Sequence, residues 1–138
     1  RDFIKLRIKI AKIFKEVISN YKILKPQKSI TGYKNTYWTL ACKLIDRDVP
    51  WKIFRNKFIE FGGESLYAAW TLLYNETFIR SNQWKKLCPP LYKKIRFPKC
   101  KNAEEVQPLL MQFTTNLGSL EEAKKKADSL DRTLKFFS

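Results

Sequence analysis

The sequence has 138 residues, 44% of them hydrophobic and 14% aromatic, which suits one folded domain with its own core and argues against disorder. Its 28 basic and 13 acidic residues give a net charge of +15, and no apolar run approaches the roughly 20 residues that cross a bilayer. Three cysteines without a CxxC pair, and no histidine, exclude the common zinc frameworks and every catalytic arrangement built on histidine.

In chain order, DFIKLRIKIAKIFKEVIS (2–19) predicts an amphipathic helix. Phe3, Leu6, Ile10, Ile13, Phe14 and Val17 make its apolar stripe. Ile4, Ile8 and Ile18 widen that stripe, so contact on two sides is expected. KILKPQ (22–27), interrupted by Pro26, reads as a loop or an edge strand. TGYKN (31–35) is a turn, and YWTLACKLI (37–45) a strand. DRDVP (46–50) signals a helix start, with Asp48 as the cap, and Trp51, Phe54, Phe58 and Phe61 form the stripe that follows. Gly62 and Gly63 end that helix, one of them in the left-handed conformation.

SLYAAWTLL (65–73) is expected to start a second strand, although Tyr67, Trp70 and Tyr74 also fit helical spacing. Residues 75–102, rich in proline, read as a long loop. Asn102 is the expected cap of a short helix that Pro108 stops, and a third strand is expected within 109–118. Ser119 and Glu122 make a capping box for a terminal helix with its stripe on Leu120, Ala123, Ala127, Leu130 and Leu134. The expected fold is α+β: a small sheet of three or four strands, helices mainly on one face, and a long amphipathic helix in front.

The charge is uneven. Residues 1–50 carry 12 basic and 4 acidic side chains, residues 51–100 carry 10 and 3, and residues 101–138 carry 6 of each. A polyanion partner would explain this, and so would a solvated lysine-rich surface. The lysines are scattered singly and arginine is sparse, which favours the solvated surface. The cysteine usage points to a reducing compartment, so the expected location is cytoplasmic. No phosphate loop or metal motif is present. The acidic pairs Asp46/Asp48 and Glu104/Glu105 lie where helix starts want them. No lysine is marked as a Schiff-base residue. Nor does any nucleic-acid module signature accompany the basic and aromatic residues.

The order of several motifs resembles the C-terminal part of the DegT/DnrJ/StrS family of fold-type I, pyridoxal-phosphate-dependent sugar aminotransferases. The motifs are RDFIKLRIKIAKIF, then GYKNTYW, then DVPWKIFRNKFIEFGGES, then FPKCKNAEEV and SLEEAKKKADSLDRTL. The resemblance implies that residues 1–20 link to a missing N-terminal large domain and that residues 21–138 are the small domain. It places the cofactor lysine, the phosphate-binding residues and an Asn-x-Arg loop in that large domain, so this chain binds no cofactor itself and is inactive alone. It implies a nucleotide-sugar substrate, with one wall of its cleft supplied here and basic residues near the diphosphate.

Expected cleft residues are Tyr67, Trp70 and Tyr74, with Asn75 and Glu76 as polar contacts, and Asn35 and Tyr37 from GYKNTYW. Trp70 and Tyr74 equally suit a small-domain core. Asn35 stands where the family often has His, and LYAAWTLLYNE lacks the family's aromatic-Pro-x-x-x-His pattern. A severed small domain would expose the apolar side of its first helix and self-associate. The alternative is a freestanding basic module that binds nucleic acid or a protein.

Overall fold

The computed structural model describes residues 2–64, 66–90 and 99–138. The segment 91–98 of the expected long loop lies outside the described residues, as does Ser65. Helix α1 (Asp2–Ile18) leads to β1 (Leu24–Pro26) and β2 (Thr39–Leu44), then α2 (Trp51–Glu60) and β3 (Leu66–Ala68). Short helices α3 (Thr77–Arg80), α4 (Asn82–Leu87) and α5 (Lys101–Val106) follow, then β4 (Leu110–Thr114) and the terminal α6 (Leu120–Phe136).

The four strands form one antiparallel sheet in the order β1-β2-β4-β3. Its register puts Leu40 opposite Phe113, Cys42 opposite Met111 and Leu66 opposite Phe113. These side chains and Leu44 are all buried on one face, where period-2 alternation gathers them. Ile10, Phe14 and Ile18 of α1, Phe54 and Phe58 of α2, and Leu130 and Leu134 of α6 complete the same core. The three long helices thus cover one face, as expected for the α+β architecture. Cys42 lies in this core, and burial pushes its thiol up to about 12.

The glycine pair ends α2 as a Schellman turn. Gly62 has φ +90 and its N–H donates to Ile59 O at 2.9 Å, while Gly63 N–H donates to Phe58 O at 2.8 Å. Gly63 is required for a different reason: a Cβ there would press against the Phe58 ring well inside van der Waals contact.

Several local expectations need correction. The strand expected over 65–73 stops at Ala68, because Ala69 takes a left-handed backbone (φ 48) that no ladder accommodates. The expected loop over 75–102 contains α3, α4 and the start of α5. Asp48 does not cap α2, whose N-cap is Pro50; Asp46 instead accepts the Asp48 N–H at 2.8 Å in a local turn. Asn102 lies inside α5, which begins after Cys100 with no side-chain cap. Pro108 does stop that helix, in a 3₁₀ turn over Gln107–Leu109. The Ser119 box forms, with Ser119 Oγ accepting from Glu122 N at 3.1 Å, but the Glu122 carboxylate reaches back to Gly118 N at 2.9 Å.

Gly63→Ala is expected to lower stability by about 1–3 kcal/mol, because the added methyl displaces the buried Phe58 ring. Urea unfolding of the two proteins, with the midpoint shifted and the slope unchanged, checks this.

Candidate functional site

The sheet face away from the helices carries no comparable layer. Thr39, Ala41 and Lys43 of β2, Gln112 and Thr114 of β4, and Tyr67 of β3 lie on it, half-buried or exposed. Thr39 Oγ1 donates to Gln112 Oε1 at 3.0 Å, a polar tie between the two central strands. Tyr67 rises beside this pair. Its ring stacks on Trp38, with centroids 6.5 Å apart and planes within 8°, and meets Trp70 edge-on at 5.7 Å. The three rings are 61% (Trp38), 43% (Tyr67) and 54% (Trp70) exposed, so none is core.

The backbone around these rings is fixed by strain and hydrogen bonds. Tyr37 has φ 48, and it is buried where its neighbour Trp38 is exposed. The hydroxyl of buried Thr115 donates to the Tyr37 carbonyl, with the Trp38 carbonyl also within reach at 3.3 Å. Ala69, also left-handed, donates to Leu110 O at 3.0 Å and its carbonyl accepts from Gln107 Nε2 at 2.6 Å. These bonds hold two unfavourable residues and so set Trp38 and Trp70 on either side of Tyr67. A small apolar pocket of about 190 Å³ continues from Trp70 toward α5, between Ala103, Val106 and Leu110.

On the other flank Trp38 and Tyr67 border a polar cavity of about 390 Å³ with Arg7, Glu64, Asn116 and Lys126. Lys126 Nζ lies 3.2 Å from Glu122 and 3.4 Å from Glu64. The Gly118 N–H first, and Lys126 second, hold the Glu122 carboxyl below its usual value. Arg7 places its guanidinium 4.7 Å over the Phe3 ring, and its Nε is buried with no partner among the described residues. Aromatic faces beside a planar donor, two carboxylates and an amide form a surface suited to a ligand with a ring and several hydroxyls.

The expected site residues do not form one cluster. Tyr67 and Trp70 touch each other on the open face. Tyr74 donates its hydroxyl to Glu104 at 2.8 Å, and partial burial together with that bond raises the phenol above its ordinary value. Asn75 accepts from the Arg80 guanidinium, and Glu76 is exposed at the start of α3. Asn35 and Tyr37 line a separate groove: Asn35 Oδ1 accepts the Tyr37 N–H at 2.9 Å, and Tyr37 is in the core. Trp38, Arg7 and Gln112 belong to the open-face site and carry no signal in the sequence beyond residue type. A further groove, about 610 Å³ between Tyr21, Ile45 and Phe137, holds none of the expected residues.

No protein-family model matches the sequence, and no curated protein matches it. Among solved structures, the chain is similar to the aminotransferase TlmJ from Streptoalloteichus hindustanus, with a TM-score of 0.72 at 12% identity. The match covers 99% of this chain and 33% of that one, so the chain spans about a third of the length of the protein it resembles. The fold is therefore that of part of an aminotransferase.

Glu122→Gln is expected to lower stability at neutral pH. A carboxyl depressed in the folded state contributes above its unfolded value of 4.5 and loses that contribution as pH falls through its folded value. Urea melts at pH 7 and at about pH 3 should therefore show a deficit that shrinks in acid.

Proposed function

We propose that this chain is the C-terminal, small-domain part of a pyridoxal-phosphate-dependent aminotransferase of the DegT/DnrJ/StrS type, acting on a nucleotide-linked keto sugar. The observation that carries the reading is the match of nearly the whole chain, at TM-score 0.72, to about a third of an aminotransferase. The motif order in the sequence supports the finer family. In this reading residues 1–20 lead in from the large domain and residues 21–138 are the small domain.

The open sheet face is then the wall that this domain turns toward the substrate. Trp38, Tyr67 and Trp70 offer apolar ring faces to a sugar, and the Asn75 amide and Glu76 carboxylate, at the start of α3, are further candidates for polar contacts. Asn35 and Tyr37 act from the neighbouring groove. The cofactor supplies the electron sink for amino transfer when bound elsewhere in the protein. The described residues here do not fit it: each described lysine is at least partly exposed, and Lys57 and Lys126, with side chains 21% and 12% exposed, are tied to carboxylates. This chain therefore binds and orients the sugar, and excludes water from one side of it, without supplying the amine that carries the reaction.

The test is made on the full reading frame that contains these residues. With glutamate and a nucleotide-linked keto sugar, the longer protein should form 2-oxoglutarate and the 138-residue chain alone should not. Tyr67→Ala should raise KM for the sugar roughly five- to tenfold with a smaller change in kcat, the mark of lost binding. A reading frame without a cofactor domain, or a KM untouched by Tyr67→Ala, sinks the reading.

The start of α1 extends beyond the core, with Phe3 53% and Ile4 40% exposed, and is read as meeting the large domain. The isolated chain is accordingly expected to self-associate, and Phe3→Ser with Ile4→Ser to return it to a monomer in sedimentation equilibrium.

A further inference from the structure

Arg7 stands on α1 at helical spacing from Ile10 and Phe14, both of which are buried in the core. It is half-buried itself, and it borders the polar cavity of about 390 Å³ beside Trp38 and Tyr67. Its Nε is buried and meets no acceptor among the described residues, and no carboxylate there lies within ion-pair distance of its guanidinium. The Phe3 ring, 4.7 Å away, supplies attraction but no hydrogen-bond acceptor. A buried donor without an acceptor is a cost that folded chains seldom carry without a use for it.

The two glutamates of the cavity do not meet that need. Glu122 accepts from Gly118 N–H at 2.9 Å through one oxygen and lies 3.2 Å from Lys126 Nζ through the other. Glu64 lies 3.4 Å from the same Nζ. Both carboxylates are therefore engaged, and the planar fork of Arg7 is left for a group that enters from outside. Such a fork fits a carboxylate through two parallel hydrogen bonds. A phosphate, with its second negative charge, would be repelled by Glu64 and Glu122 across the same cavity.

The cavity walls suit a particular bearer of that carboxylate. Trp38 and Tyr67 present exposed ring faces, and Thr114 and Asn116 add a hydroxyl and an amide. Ring faces take the C–H side of a pyranose, and the polar groups take its hydroxyls. An amino acid would bring an ammonium instead, and the glutamates that would hold it are already tied to Lys126.

We propose that Arg7 receives the carboxylate of a sugar acid whose ring lies beside Trp38 and Tyr67, and so selects an acidic sugar over a neutral one. That the ligand is a sugar rests on the aminotransferase reading; the carboxylate site rests on Arg7 and its cavity.

The experiment titrates the 138-residue chain with sodium glucuronate, glucose, sodium glutamate and inorganic pyrophosphate at constant ionic strength, followed by the amide signals and the Arg7 Nε–H signal in NMR. Glucuronate should move the Arg7 Nε–H and the amides of residues 38, 67 and 114–117. Glucose should bind roughly tenfold more weakly, and neither glutamate nor pyrophosphate should displace glucuronate. Arg7→Gln should weaken glucuronate roughly tenfold and bring it level with glucose, while Lys5→Gln, an equal loss of charge on the exposed side of α1, should leave it unchanged. The four ligands on the unaltered chain decide the matter even where Arg7→Gln does not fold. No glucuronate binding, glucose bound as tightly as glucuronate, equal loss in the two variants, or glutamate or pyrophosphate taking the same site overturns the proposal. A chain that binds glucuronate while the longer protein forms no 2-oxoglutarate keeps this site and removes the aminotransferase reading. A longer protein that forms 2-oxoglutarate with equal KM for acidic and neutral nucleotide-linked keto sugars keeps that reading and removes this site.

Discussion

Phe113, near the end of β4, lies under two helices at once. The Phe14 ring of α1 is tilted against it at 6.0 Å, and the Phe58 ring of α2 meets it edge-on at 5.6 Å. Each such pair adds about 0.5–1.5 kcal/mol to the area it buries. Leu40 and Leu66 flank Phe113 across the ladder, so this one side chain joins both helices to three of the four strands. With the helices committed to that face, the other face stays open, and the open face holds the aromatic rings and the polar cavity. Truncating Phe113 would cost about 3–5 kcal/mol and disturb the frame on which the site rests.

Much of this frame is legible in the sequence. The stripes of α2 and α6 and most of that of α1 depend on apolar spacing, which packing enforces, and they appear at their places, although Phe3 is exposed; the strand expected over 37–45 forms only over Thr39–Leu44, because Tyr37 is left-handed. The Gly62-Gly63 stop and the Ser119 box are local chemistry and are legible for that reason. The shortening of the second strand at Ala69 is not. A non-glycine residue with positive φ is set by tertiary bonds, here from Gln107 and Leu110, about forty residues away. The cap at Asp48 does not form, because α2 starts from Pro50 with no side-chain cap and the Asp48 N–H is taken up by Asp46 in a local turn.

The candidate site was only partly legible. Tyr67 and Trp70 could be singled out as aromatics, but the sequence left their direction open, and the register against Gln112 decides it for Tyr67. Trp38 was hidden because its backbone depends on the strained Tyr37 next to it and on buried Thr115. Arg7 gives the clearest instance. Along α1 it reads as ordinary charge, yet it borders one cavity with Trp38, Tyr67 and Asn116 once α1 packs against the sheet. Linear spacing reports neighbours along one helix and is silent about a helix and a sheet brought together by a common core.

The two outer strands are each three residues long. Pro26 ends β1 without an N–H to offer, and the left-handed Ala69 turns the chain away as soon as β3 ends. A foreign strand would find almost no length of unpaired backbone to template on at either margin. The exposed aromatic surface is thus presented by side-chain faces and not by an open strand edge. Contact through such faces adds no continuous hydrogen-bonded ladder from one copy to the next.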